Sequence, residues 1–93
     1  MIVSFADRDA ERLFQRQRVK RLDPRLHRKA VITLWLLDAV HELDELRVPP
    51  GNRLEALKGA RIGQHSIRIN DQRRICFVWT PEGPSEVEIV DYH

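Results

Sequence analysis

The hydrophobic period of this chain changes once, at Pro49-Pro50-Gly51, and that change restricts its possible folds more than any other feature. Before it, apolar residues recur three and four apart. Leu26, Ala30, Leu34 and Leu37 form one such stripe, widened by Ile32, Trp35, Leu36 and Ala39, which predicts a long amphipathic helix. Asp23-Pro24 marks its start: the Asp side chain accepts from free first-turn N–H groups, and Pro has no N–H to lose there. A shorter helix is expected after Asp7, burying Ala10, Leu13 and Phe14, and Ile2, Val3 and Phe5 read as a short opening strand. The Pro-Pro-Gly run then stops any helix.

After the break the period is two. Ile67 and Ile69 point one way and Ser66 and Arg68 the other, followed by an Asn70-Asp71 turn. Ile75, Phe77 and Trp79 alternate next, Pro81-Glu82-Gly83-Pro84 turns the chain, and Val87 and Ile89 carry a last strand. A short strand, two helices and then an antiparallel β-meander make an α+β domain over residues 1–93, with the helices on one sheet face. The other face would hold Arg68 and Arg74, a place for a site. Trp35 and Trp79 are expected in the core, and Cys76 as a packed strand residue rather than a nucleophile.

With 93 residues there is room for one modest core. No apolar run approaches the roughly 18 residues of a membrane span, and the first residues lack the basic start and apolar stretch of a secretory signal. The lone cysteine excludes an internal disulfide and a cysteine-based zinc site. A cytoplasmic protein is expected. The net charge of +2 is unevenly spread: residues 8–29 are rich in Arg and Lys, whereas acids dominate residues 38–45 and 82–91. A basic face attracts nucleic acid by counterion release, although a solvated helix surface accounts for it equally well.

Three places carry candidate chemistry. At the end, Asp91-Tyr92-His93 continues a strand pattern, so its groups are expected to be held. His93 offers an imidazole suited to proton transfer near neutral pH, Tyr92 a stacking ring, and Asp91 a carboxylate. Between strands, Lys58, Gly59, Arg61 and Gly63 combine cations with backbone that a phosphate can approach closely; an ordinary basic loop is the plainer reading. Arg73-Arg74 opens a strand, where neighbouring cations need water, an anion or the carboxylates Glu86 and Glu88. No P-loop, nucleophile elbow or metal-ligand spacing is present, and His27 and His41 read as surface or helix-end residues.

The ordered combination of residues 50–59, PGNRLEALKG, residues 63–77, GQHSIRINDQRRICF, and residues 88–93, EIVDYH, resembles the HigB or "killer protein" toxins of the RelE/ParE superfamily. The likeness covers nearly the whole chain. It implies a compact RelE-like α+β toxin encoded beside a HigA-like antitoxin with a helix-turn-helix domain, and contact with operator DNA only through that antitoxin. It also implies a ribosome-dependent ribonuclease that enters the A site and cuts the mRNA there. By this resemblance the family's loop lysine matches Lys58, its strand arginine Arg74, and its terminal triplet Asp91, Tyr92 and His93. Arg68 lies in the matching Ser-Ile-Arg-Ile-Asn run, and Arg73 and Arg61 join it as RNA contacts. Three positions depart from familiar members: Glu55 stands where a histidine is common, and Arg73 and His65 stand where aromatic residues are common.

A reaction built from these groups uses neither metal nor cofactor. The ribose 2′-hydroxyl attacks the adjacent phosphate, His93 and Asp91 supply acid–base function with Glu55 assisting, and Lys58 and Arg74 clamp the phosphate while Tyr92 positions a nucleotide. The alternatives are a ParE-like gyrase-inhibiting toxin and a weakly active binding module that retains the fold.

Overall fold

The computed structural model describes residues 1–91. Helix α1 spans Arg8–Phe14 and α2 spans Pro24–Ala39. Strands β1 (Glu55–Ala56), β2 (His65–Arg68), β3 (Arg73–Thr80) and β4 (Gly83–Asp91) form an antiparallel sheet in the order β1-β2-β3-β4. The α+β expectation holds, with both helices packed against one sheet face.

Both helix starts follow from their caps. The Asp7 carboxylate accepts from the N–H of Asp9, and that of Asp23 from the N–H of Arg25, with Pro24 in the first turn. Asp23 also pairs with the Arg25 guanidinium at 2.8 Å, and this hydrogen bond is the main reason its carboxyl falls from 3.8 to about 2. A lowered carboxyl stabilises the fold above its unfolded value, and that contribution disappears as pH falls through about 2. Asp23→Asn should therefore melt below wild type near neutral pH, with the gap closing in strong acid; a gap independent of pH would contradict this.

The core forms where the two periods meet. Ala10, Leu13, Ala30, Leu34 and Leu37 from the helices pack on Ile67, Ile75, Phe77, Val87 and Ile89 from the sheet. Pairing of Ile67 with Ile75, and of Ile75 with Ile89, keeps these side chains on one face. His65 takes the position of an aromatic in this layer: its ring stacks on Phe77 at 6.3 Å between centres, and its buried Nδ1 has no hydrogen-bond partner among the described residues. His27 is half-buried in the first turn of α2, where its Nε2 lies 2.9 Å from the Val19 carbonyl and 3.0 Å from that of Leu22, tying down the interhelix connection.

Three details differ from the sequence reading. The opening strand is reduced to one parallel bridge, Phe5 to Val87, flanked by hydrogen bonds from Val3 to Pro84 and from Ala6 to Val87. The neighbouring edge of β4 is irregular there: the ladder shifts between Cys76 and Val78, and Glu86 takes a left-handed φ of 52°. Glu55–Ala56, where the sequence reading has no strand, adds a two-residue strand to β2. Trp35, expected in the core, is 39% exposed on the outer side of α2. Leu34 and Leu37 occupy the sheet-facing stripe, whereas Trp79 does pack against the core.

Gly83 fixes how the N-terminus lies against the sheet. Its φ is 132°, and a Cβ there would sit 2.2 Å from the Met1 carbonyl oxygen. Gly83→Ala should cost about 1–3 kcal/mol from backbone strain alone, and displacement of residues 1–3 adds to it. Thermal melting checks this; an unchanged midpoint would show that the close approach does not exist in solution.

Candidate nucleic-acid interface

Alternation puts Glu55, Ser66, Arg68, Arg74, Cys76, Glu88 and Val90 on the sheet face away from the helices, because Glu55 pairs with Ser66, Ser66 with Cys76, Arg68 with Arg74, and Cys76 with Glu88. Arg74 is the centre of this face and only 7% exposed. Its Nε donates to Ser66 Oγ at 2.7 Å, and Nη2 donates to the Ser66 carbonyl at 3.3 Å and to the Arg53 carbonyl. Glu55 Oε1 lies 3.9 Å from Nη1. The guanidinium is thus clamped from two elements, with its orientation set before any ligand arrives.

The Arg53 carbonyl reaches Arg74 because of how the chain turns into β1. Arg53 adopts φ 47° and ψ 56° after the short 3-10 turn Pro50–Asn52. Buried Asn52 stabilises that turn by donating to the Leu46 and Val48 carbonyls at 3.2 and 3.3 Å. The Pro-Pro-Gly run that ends the helical half therefore also delivers the Arg74 cradle. Sequence reasoning missed Ser66, Asn52 and the Arg53 backbone. Only Ser66 carried a signal, its alternation with Arg68.

Residues 57–64 make a closed loop, with Leu57 N–H donating to the Gln64 carbonyl at 2.9 Å around a 3-10 turn at Gly59–Arg61. Lys58 caps that turn from an exposed position. Arg61 donates to Gln64 Oε1 at 3.0 Å and to Glu88 Oε1 at 2.6 Å, so the loop extends over the open face as far as β4. Arg68, partly exposed, is paired with Asp71 in the following turn. Lys58, Arg61, Arg68 and Arg74 thus belong to the open face and its loop.

Arg73 and Asp91 do not join them. They are register partners and pair at 3.0 Å, with the same parity as Ile75 and Ile89, and therefore lie on the helix-side face. Arg73 also acts electrostatically on Asp23 at the start of α2. The expected gathering of Asp91 with Arg74 is corrected accordingly. The alternation Val87-Ile89-Asp91 was the available signal. Tyr92 and His93 lie outside the described residues.

Cys76 is fully buried beneath the Arg61–Glu88 pair. Burial pushes its thiol up, and Arg61 pulls it down to a lesser degree. A buried, neutral thiol is a poor nucleophile, so Ellman's reagent should modify Cys76 only after denaturation. Rapid labelling of the native protein would contradict the packing. Among the described residues no group of three or more His, Cys, Asp or Glu comes together to hold a metal, and no helix is long and apolar enough to cross a membrane.

The arrangement of a four-strand antiparallel sheet backed by two helices is shared with a solved structure. The YoeB/ParE toxin from Agrobacterium tumefaciens superposes with a TM-score of 0.50 over 99% of this chain and 97% of that one, at 21% identity. The sequence assigns the family. Residues 3–93 match the model of the HigB-like toxins, described as RelE-like toxin of type II toxin-antitoxin system HigB. Toxin HigB-1 of Vibrio cholerae serotype O1 is 39% identical over 80 residues, covering 85% of this chain and 84% of that protein. The chain belongs to the HigB-like toxins of type II toxin–antitoxin systems, and an antitoxin is its partner by that membership.

Proposed function

We propose that this toxin cleaves mRNA in the ribosomal A site. The observation that carries the proposal is the Arg74 cradle: a guanidinium held on an open face, with the Glu55 carboxylate beside it and the cations Lys58, Arg61 and Arg68 on the same face and its loop. That arrangement suits a phosphodiester whose charge grows during reaction.

In the proposed step the ribose 2′-oxygen forms a bond to the adjacent phosphorus while the bond from phosphorus to the 5′-oxygen breaks. Glu55 takes the 2′-hydroxyl proton, and the His93 imidazolium gives a proton to the departing oxygen. The products are a 2′,3′-cyclic phosphate and a 5′-hydroxyl. Arg74 holds the non-bridging oxygens, Lys58, Arg61 and Arg68 hold neighbouring phosphates, and Tyr92 stacks on a nucleotide. Asp91, engaged by Arg73 on the helix-side face, ties down the strand end instead of transferring a proton. The ribosome supplies substrate alignment, which this small site leaves to it. Cytoplasmic action and inhibition by a HigA-like antitoxin follow from the same proposal.

Inducing the toxin without its antitoxin and mapping mRNA 5′ ends tests this reading. Cuts confined to translated regions are expected. Intact transcripts with induction of the DNA-damage response would replace it with gyrase poisoning.

A further inference from the structure

The helical half carries a surface that the proposed chemistry does not use. A groove of about 580 Å³ lies between the end of α1 and the outer side of α2, and no residue of the candidate interface lines it. Its apolar part comes from Leu13, Val31, Ile32 and Trp35; Ile32 is 48% exposed. Large apolar side chains lining a concave surface, with little to cover them, are a feature of binding sites.

The charged groups along this groove are all of one sign. Arg16, Arg18 and Arg28 line it, and no carboxylate does. Among the described residues these three have no ion-pair partner, whereas nearby Arg12, Arg21 and Arg25 each hold an aspartate. Arg16 lies just past the α1 cap with a left-handed φ of 65°, a conformation that usually selects glycine. From there its guanidinium stacks over Trp35, 4.7 Å from the ring centre.

We infer that this groove docks an amphipathic helix of the antitoxin, one whose apolar stripe is flanked by Asp or Glu. The apolar stripe would cover Val31, Ile32 and Trp35, and the flanking carboxylates would meet Arg16, Arg18 and Arg28. RNA fits less well. Phosphates would suit the arginines but gain nothing from the aliphatic lining, and Arg16 already occupies a face of Trp35 on which a base would stack. The inference rests on the antitoxin partnership of the family rather than on the ribonuclease proposal, so the two fail separately. It places the docked helix away from Arg74.

Hydrogen exchange of the toxin, free and bound to the antitoxin from the same operon, tests the inference without any variant. New protection over residues 13–18 and 28–35 is expected; protection confined to the strands and the 57–64 loop would overturn it. Ile32→Glu, and separately the double variant Arg16→Glu with Arg28→Glu, should each weaken antitoxin binding by at least about tenfold. Their circular dichroism should match wild type, because these side chains are exposed. Folded variants that keep wild-type antitoxin affinity would overturn the inference. So would variants that lose ribosome binding while keeping antitoxin affinity, since the groove would then be an RNA surface. Absence of mRNA cleavage by wild-type toxin would leave these readouts intact and count only against the ribonuclease proposal.

Discussion

Arg74→Ala is expected to lower the rate of mRNA cleavage on programmed ribosomes by about 100- to 1,000-fold, the usual effect of removing one preorganised donor from a developing negative charge. Two causes combine. The phosphate loses its clamp, and the cradle built for the guanidinium loses its occupant. Ser66 is fully buried, so its hydroxyl and carbonyl would be left without their Arg74 partner, at a cost of about 1–3 kcal/mol in stability. Arg74→Lys separates the two effects. A single ammonium keeps the charge but cannot direct donors to Ser66, Arg53 and a phosphate together. It should melt closer to wild type than the alanine variant yet stay strongly impaired in cleavage. Near-wild-type cleavage by a folded Arg74→Ala protein would remove Arg74 from the proposed chemistry.

His93→Ala should cost about 100- to 10,000-fold in the same assay, the range for loss of a general acid or base. Its melting temperature should change little, as expected of a residue whose role is to transfer a proton. This pairing of large catalytic loss with small stability loss distinguishes proton transfer from packing, and Arg74→Ala should fall in both measures. Glu55→Gln should show a smaller catalytic loss. Glu55 is exposed, and water can relay or accept the 2′-hydroxyl proton in its place, whereas a poor leaving oxygen depends on a positioned acid. If His93→Ala cleaved at the wild-type rate while Glu55→Gln did not, the assignment of the proton donor would be wrong.

The sheet and the longer helix were legible because each is amphipathic with an unambiguous period. Ala30, Leu34 and Leu37 could only face the sheet, and Ile67, Ile75, Phe77 and Ile89 only the helices. Asp23-Pro24 located the start of α2 to the residue. The chemistry on the open face was half legible: Arg68 and Arg74 follow from alternation, whereas the Arg53 carbonyl depends on a left-handed residue that no local pattern announces. Trp35 was misplaced because an apolar stripe widened by several residues exceeds what one sheet can cover. The surplus is what forms the groove beside α1. Asp91 was misplaced through attention to residue type, since the parity it shares with Ile89 already set its side chain on the helix face. The irregularity at Glu86, with its positive φ, also had no sequence cue; it lies next to Val87, where the opening strand forms a single bridge.

Ribosome-dependent cleavage can be measured in a reconstituted reaction. Purified toxin would be added to ribosomes stalled on a defined mRNA with an empty A site, and to the same mRNA free in solution, with primer extension locating any new ends. Cuts within the A-site codon on the ribosome are expected, leaving a 5′-hydroxyl on the downstream fragment, with essentially none on free RNA. Intact ribosome-bound mRNA at toxin levels that arrest growth would contradict this expectation, as would equal cutting of free and bound RNA.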